Sequence, residues 1–325
     1  MKRREFIAGL GGAAAWPVVA RAQQRALPVV GVLILADPDS LRVFDVSFRR
    51  GLSELGYIEG RNVTIEYRWP GRDETMLSSM ADELVRRQVA VIVAASTPTA
   101  VAAQAATKSI PIIFSIAADP VAAGFVSSLN KPGGNLTGIS NLGASLAAKR
   151  FQLLHELVPA AASLAFLINP INQAEAEAEK REVELAAAQL KVRPLILNAT
   201  NELDFETVLL TVVREQVGGL VVGADPMFYK PDKLIAQAAQ YGVPIIYRVP
   251  EAAAAGGLIS YGTDFPDSYH QVGIYAARIL KGQKPADLPV QLVTKMKLII
   301  NMKTAKALGI TIPTALLVRA DEVIE

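Results

Sequence analysis

Two stretches decide the fold: "SIPIIFSIAADPVAAGF" at residues 109–125 and "GVPIIYRVPEAAAAGGL" at residues 242–258. Each places an [IV]-P-I-I-[FY] run ahead of a short gap, an acidic residue and a run of small residues closing on glycine. Working outward, the first is preceded by "VIVAAS" and a helix-forming segment, the second by "LVVGAD" and another. Unbroken apolar runs of this length read as strands of a parallel sheet buried on both faces. Four elements match in the same order, so the chain carries one β-α-β unit twice, in two topologically equivalent α/β lobes.

The flanking sequence extends both lobes. "VVGVLIL" (29–35) reads as a strand. "RVFDVSFRRGLSELG" puts Val43, Phe44, Phe48, Leu52 and Leu55 on one helical face and stops at Gly56. After "KPGGNLTGIS", read as a Gly/Asn-rich crossing segment, the alternation restarts with "LAFLIN" and a long Ala/Glu helix over 173–190. Alternating β and α predicts right-handed crossovers and two doubly wound, Rossmann-like lobes. Lobe 1 is expected over 28–140 plus 263–290, and lobe 2 over 141–262 plus 291–325. "YGTDFPDSY" and "QKPADLPVQ" read as further crossings, which makes hinge closure around a ligand physically reasonable. Open sheets bind ligands beyond the carboxyl ends of their strands.

The amino terminus is set apart from this pattern. Lys2, Arg3 and Arg4 precede a soft apolar stretch and the small-residue site Ala20-Arg21-Ala22, the order of an export signal occupying residues 1–22. The adjacent arginines resemble the twin-arginine type. That segment carries four basic residues and one acidic; taking its +3 from the net +2 leaves the remainder near −1. A near-neutral chain offers no nucleic-acid footprint. With 0 cysteines there is no thiolate metal site, thiol nucleophile or lipoprotein anchor.

Catalysis has little to stand on. Only His155 and His270 exist, both on helix-like stretches, and no phosphate-loop, HExxH or GxSxG motif occurs. The expectation is no catalytic residue, no metal and no cofactor. Binding has more support. Ser96, Thr97 and Thr99 bring hydroxyls to a strand end and helix start, where free N–H groups favour a carboxylate; plain N-capping is the alternative. Asp119 and Asp225 sit at strand ends, as acceptors for an ammonium group or as turn formers. Tyr247, Glu251 and Tyr261 offer an aromatic wall and another acceptor at the edge of the second lobe. The Ala/Glu helix reads as solvated, Glu175 and Glu179 being relieved by Lys180 and Arg181, and is assigned no chemistry.

At these residues the chain resembles the exported solute-binding proteins of ABC importers, in the subfamily with tryptophan- and tyrosine-binding members. The carrying stretches are "GLSELGYIEGRNVTIEYR", "DPVAAGFVSSLNKPGGNLTGIS", "AGGLISYG", "ILKGQKPADLPVQ" and "LIINMKTAKALGITIPTALLVRADEVI". The resemblance implies a type I periplasmic-binding-protein architecture with ligand between the lobes. It also implies a monomer delivering a small, amino-acid-like solute to a membrane permease driven by a separate ATPase. Its ligand contacts map to the loops holding Ser96, Thr97, Asp119, Asn141, Asp225, Tyr247, Glu251 and Tyr261. Sensory presentation of ligand to a membrane partner is the alternative, and a doubly wound hydrolase a more distant one. The signal predicts a soluble periplasmic protein cleaved close to Ala22. Amino-terminal sequencing of the periplasmic protein should begin near Gln23; a chain still starting at Met1 would refute export.

Overall fold

The computed structural model describes residues 27–35, 38–71, 73–141 and 143–325, without side-chain detail at 38–40 and 143–144. The expected export signal lies outside the described residues. Lobe 1 is built on β1 (Val29–Leu33), β2 (Thr64–Arg68), β3 (Val91–Ala94), β4 (Ile112–Ile116) and β5 (Leu136–Ser140). Helices α1 (Pro38–Glu54), α2 (Leu77–Arg86) and α3 (Thr97–Ala106) follow the first three strands in turn. Lobe 2 repeats the plan with β6 (Ser163–Ile168), β7 (Arg193–Asn198), β8 (Leu220–Val222), β9 (Ile245–Tyr247) and β10 (Ile259–Thr263). Its helices are α4 (Gly143–Leu157), α5 (Gln173–Leu190), α6 (Asp204–Arg214), α7 (Asp232–Tyr241) and the short α8 (Glu251–Ala254).

The two sheets share one strand order. Lobe 1 runs β2-β1-β3-β4-β5 and lobe 2 runs β7-β6-β8-β9-β10, all parallel. The repeated units that open the sequence are β3-α3-β4 and β8-α7-β9. After β10 the chain returns to lobe 1 as α9 (Phe265–Leu280), which packs across α1 and the β4 face. It then adds β11 (Gln291–Leu292) beside β5 before re-entering the second sheet as β12 (Met296–Asn301), antiparallel to β10. Helices α10 (Met302–Ala307) and α11 (Thr314–Arg319) and strand β13 (Glu322–Ile324) complete the chain.

Two details differ from the sequence reading. Residues 136–140 of the Gly/Asn-rich segment are not a crossing but the fully buried β5, and the crossing begins only after Ser140. Residues 291–292 pair with lobe 1, so the sheet of that lobe takes two residues expected in lobe 2.

Strand alternation sends Val30, Val32, Val91 and Val93 to one face of the first sheet and Leu33, Ile92 and Ala94 to the other. Both sets are removed from water, as a parallel sheet covered on both faces requires. Across one face α1 and α9 approach backbone to backbone. A Cβ on Gly273 would lie 2.2 Å from the Phe48 carbonyl oxygen, and one on Gly51 would lie 2.0 Å from that of His270. Gly273→Ala should therefore force these helices apart and cost at least about 1–3 kcal/mol. A lowered midpoint in chemical denaturation checks it; an unchanged midpoint would contradict the close approach.

Candidate functional site

Three chain crossings lie side by side, after β5, after β10 and after β11, and they are hydrogen-bonded to one another. The Val293 N–H donates to the Ser140 carbonyl at 2.9 Å and the Asp264 N–H to that of Lys295 at 3.1 Å. Asn141 sits among them, 3 % exposed. Its amide donates to Ser115 Oγ at 3.3 Å, its side-chain oxygen accepts from Ser268 Oγ at 3.1 Å, and its carbonyl accepts from Thr263 Oγ1 at 3.4 Å. Asn141 thus joins the crossing after β5 to the one after β10.

Beyond the crossings the carboxyl ends of both sheets face each other. Ser96 adopts an extended backbone and caps α3. Thr99 Oγ1 accepts from the Ser96 N–H at 2.8 Å and donates to the Ser96 carbonyl at 2.8 Å. This capping box consumes the Ser96 and Thr99 hydroxyls and leaves Thr97, half-buried, as the residue of the three that meets lobe 2. Opposite Thr97 stands the first turn of α5. Glu175, Glu179 and Arg150 of α4 are 5 %, 2 % and 1 % exposed. The expectation of a solvated helix therefore fails at this end. Lys180 and Arg181 do not relieve these carboxylates; Arg150 Nη2 pairs with Glu179 Oε1 at 3.4 Å, and Arg248 acts on both Glu175 and Glu179. A helix on the concave side of a two-lobed molecule has water on only part of its polar face.

Burial sets the protonation of this cluster, since desolvation disfavours the charged form. It pushes the Glu175 carboxyl well above its ordinary range, with neighbouring Glu179 adding to the rise. Burial raises Glu179 as well, against the opposing pull of Arg150 and the Ala224 N–H. The Arg150 guanidinium is brought down to about 10 by burial. Glu175 Oε1 is buried and has no hydrogen-bond partner among the described residues. Asp225, 3 % exposed, caps its turn by accepting from the Met227 N–H at 2.8 Å. Its other oxygen accepts from Asn172, whose amide also reaches Glu74 of lobe 1 at 3.3 Å.

Arg248 divides this acidic cluster from an aromatic cavity. Its guanidinium lies 4.8 Å from the ring centre of Tyr229 and 5.4 Å from that of Phe265. Phe265 in turn stacks on Tyr269, and Tyr269 meets Phe44 edge-on. Gly262 fixes the arginine from behind, because a Cβ there would lie 1.7 Å from the Arg248 carbonyl oxygen. Between the lobes, Tyr229, Phe265 and Tyr269 line a cavity of about 300 Å³ together with Arg42, Lys230 and Glu251. That volume is at the lower end for small-molecule sites.

The remaining candidates lie elsewhere. Asp119 is exposed and accepts from the Val121 and Ala122 N–H groups at 2.8 and 3.0 Å, holding its turn at the rim of a separate interlobe cavity. Tyr247 is turned into the core of lobe 2, where its ring lies against Gly257. Tyr261 is half-buried on β10, and its carbonyl accepts from Arg150 at 3.5 Å. Thr97 and Asp225 are thus brought together, Glu251 borders the aromatic cavity, and Ser96, Thr99, Asp119, Asn141 and Tyr247 serve caps, turn, hinge and core. Sequence reasoning missed Glu175, Glu179, Arg150, Arg248, Tyr229 and Phe265. The available signal was the position of Glu175 in the first turn of a helix that follows a buried strand.

The family model for ABC transporter substrate binding proteins matches residues 29–324. The chain belongs to that family. A curated relative, the tyrosine-binding protein of Clostridioides difficile, is 30% identical over 287 residues, 86% of this chain and 80% of that one. Among solved structures, an ABC domain in complex with L-Trp from Streptococcus pneumonia is 28% identical, with a TM-score of 0.84 over 92% of this chain and 100% of that one. A conserved domain protein of Vibrio cholerae is 29% identical, with a TM-score of 0.84 over 91% of this chain and 99% of that one. This substrate-binding protein accordingly has the two-lobed type I periplasmic-binding-protein architecture, and its family is one of solute binders rather than enzymes.

Removing one member of a buried ion pair strands the other charge. Arg150→Ala should therefore destabilise the protein by roughly 3–5 kcal/mol. Equilibrium unfolding in urea measures it, and a loss within the ±0.5 kcal/mol typical of surface changes would refute the pairing.

Proposed function

We propose that this protein is the exported, monomeric receptor of an ABC importer. It captures a small amphipathic solute, amino-acid-like and aromatic, between its lobes and presents it to a membrane permease served by a separate ATPase. Lobe 1, over 28–140 and 263–292, and lobe 2, over 141–262 and 293–325, close on the solute by rotation about the three crossings. The observation that carries this reading is the facing of unlike chemistries across the cleft. Lobe 1 offers the Thr97 hydroxyl at a helix start together with the rings of Phe265 and Tyr269; lobe 2 offers buried acids with Arg248 and Tyr229. A zwitterion with an aromatic side chain needs a donor for its carboxylate, an acceptor for its ammonium group and an apolar face. The tyrosine-binding relative and the L-Trp complex support the same solute class.

A hydrogen bond to a charged group contributes about 1.5–3 kcal/mol, and each 1.4 kcal/mol is about tenfold in affinity. Asp225→Asn and Thr97→Val should each weaken L-tyrosine or L-tryptophan binding by roughly tenfold to a hundredfold. Glu206→Gln on the outer face of lobe 2 should leave affinity unchanged. Titration calorimetry reads both, and solution scattering should show a smaller radius of gyration at saturation. Affinity indifferent to Asp225 and Thr97 would move the solute to another site, and failure to bind either amino acid would refute the solute class.

A further inference from the structure

A buried carboxyl with a bare oxygen is costly unless something completes it, because buried polar atoms are almost always hydrogen-bonded. Glu175 is such a group: it is 5 % exposed, and Oε1 has no partner among the described residues. It is not a structural cap, since Asn172, the N-cap of α5, makes no side-chain capping bond. It does not anchor the hinge, which Asn141 serves. Its neighbours are known from every side. Glu179 lies one turn along the same helix, Arg248 follows β9, Asp225 follows β8, Tyr229 lies just beyond it, and Thr97 comes from lobe 1.

None of these neighbours completes the carboxyl. Arg150 is engaged with Glu179, and the Arg248 guanidinium lies over two aromatic rings. Glu179 and Asp225 are themselves acceptors when ionised and raise the cost of charge on Glu175. Only the Thr97 hydroxyl donates toward it. The missing group is therefore a strong donor, and once Glu175 is ionised the cluster sets three carboxylates, Glu175, Glu179 and Asp225, against the two arginines, which one more positive charge balances.

Resting on the amino-acid reading above, we infer that Glu175 is the acceptor for the solute's ammonium group, and that it releases a proton when that group arrives. Before the ammonium group arrives, the buried carboxyl favours its protonated, neutral form. On binding, its O–H proton passes to solvent buffer and the carboxylate accepts an N–H of the ammonium group, which keeps all its own protons. The site thereby demands an amine. A deaminated analogue offers no charge to replace the proton and leaves the acid as it was.

The test compares wild type with Glu175→Gln, using L-tyrosine, its deaminated analogue 3-(4-hydroxyphenyl)propanoate, and calorimetry in two buffers of different ionisation enthalpy. Wild type should bind tyrosine with release of up to roughly one proton and discriminate against the analogue by at least about tenfold. The variant should bind tyrosine at least about tenfold more weakly, release no proton and lose the discrimination. It should also melt higher than wild type at neutral pH without ligand. The raised Glu175 group makes wild-type stability fall as pH climbs above its ordinary 4.5, and the amide removes that slope. A structural carboxyl would give the opposite pattern, a lower melting point with affinity preserved. Unchanged tyrosine affinity in a folded variant, or binding without proton release, would overturn the inference while leaving the solute class intact. If wild type bound no aromatic amino acid at all, the solute class of the preceding subsection would fall, and this role with it.

Discussion

A strand buried on both faces has only its ends for polar chemistry. The central parallel strands obey that constraint, with β3, β4, β6 and β8 wholly removed from water along their length, whereas β2 and β7 at the sheet edges are only partly buried. Polar side chains are therefore pushed into the loops beyond the strands, and the duplicated topology turns the two sets of carboxyl-end loops toward each other. The site is a consequence of the sheets: Thr97 follows β3, Asn172 follows β6, Asp225 follows β8 and Arg248 follows β9.

The lobes do not divide the chemistry equally. Arg150, Glu175, Glu179, Asp225 and Arg248 all belong to the second sheet's surroundings, whereas the first sheet contributes Thr97, Phe265, Tyr269 and, at the margin, Glu74. Placing the ionic groups on one body keeps the Arg150–Glu179 pair and the Arg248 stack intact through any movement of the other. What a moving first lobe changes is the water available to those charges. Under the proposed closure the desolvation cost of the acids would rise, and a ligand carrying the right charge would offset it.

Much of this was legible in the sequence. Apolar runs named the strands, and the paired "PII" units revealed the duplication before any coordinate. Thr97 and Asp225 were readable because they follow strands that could be read. Glu175 was not, because burial of a helical glutamate depends on what packs against it, and alternating Ala and Glu looks the same on a solvated helix as on one pressed into a cleft. Arg248 was hidden by its neighbour: Tyr247 drew attention as the aromatic residue, yet strand alternation turns Tyr247 into the core and leaves the next residue to face the cleft. β5 was read as a crossing because Gly138 breaks its apolar run. A Cβ there would lie 2.1 Å from the Phe114 carbonyl oxygen, so the glycine is needed by the strand it obscures.

The hinge shows the same economy of position. Asn141 bonds to β4 through Ser115, to β10 through Thr263 and to α9 through Ser268, so one residue ties the crossing after β5 to the crossing after β10, more than a hundred residues away in sequence. Such a residue is polar, buried and at a strand's carboxyl end, and its side-chain nitrogen and oxygen are each engaged within the protein. Glu175 is likewise polar and buried, but among the described residues one of its oxygens is not engaged. Position alone therefore does not separate residues that move the lobes from residues that hold the solute; unsatisfied hydrogen-bonding capacity does. On the inference drawn above, the recognition chemistry of this cleft lies on the first turn of α5, where Glu175 Oε1 is buried with no hydrogen-bond partner among the described residues.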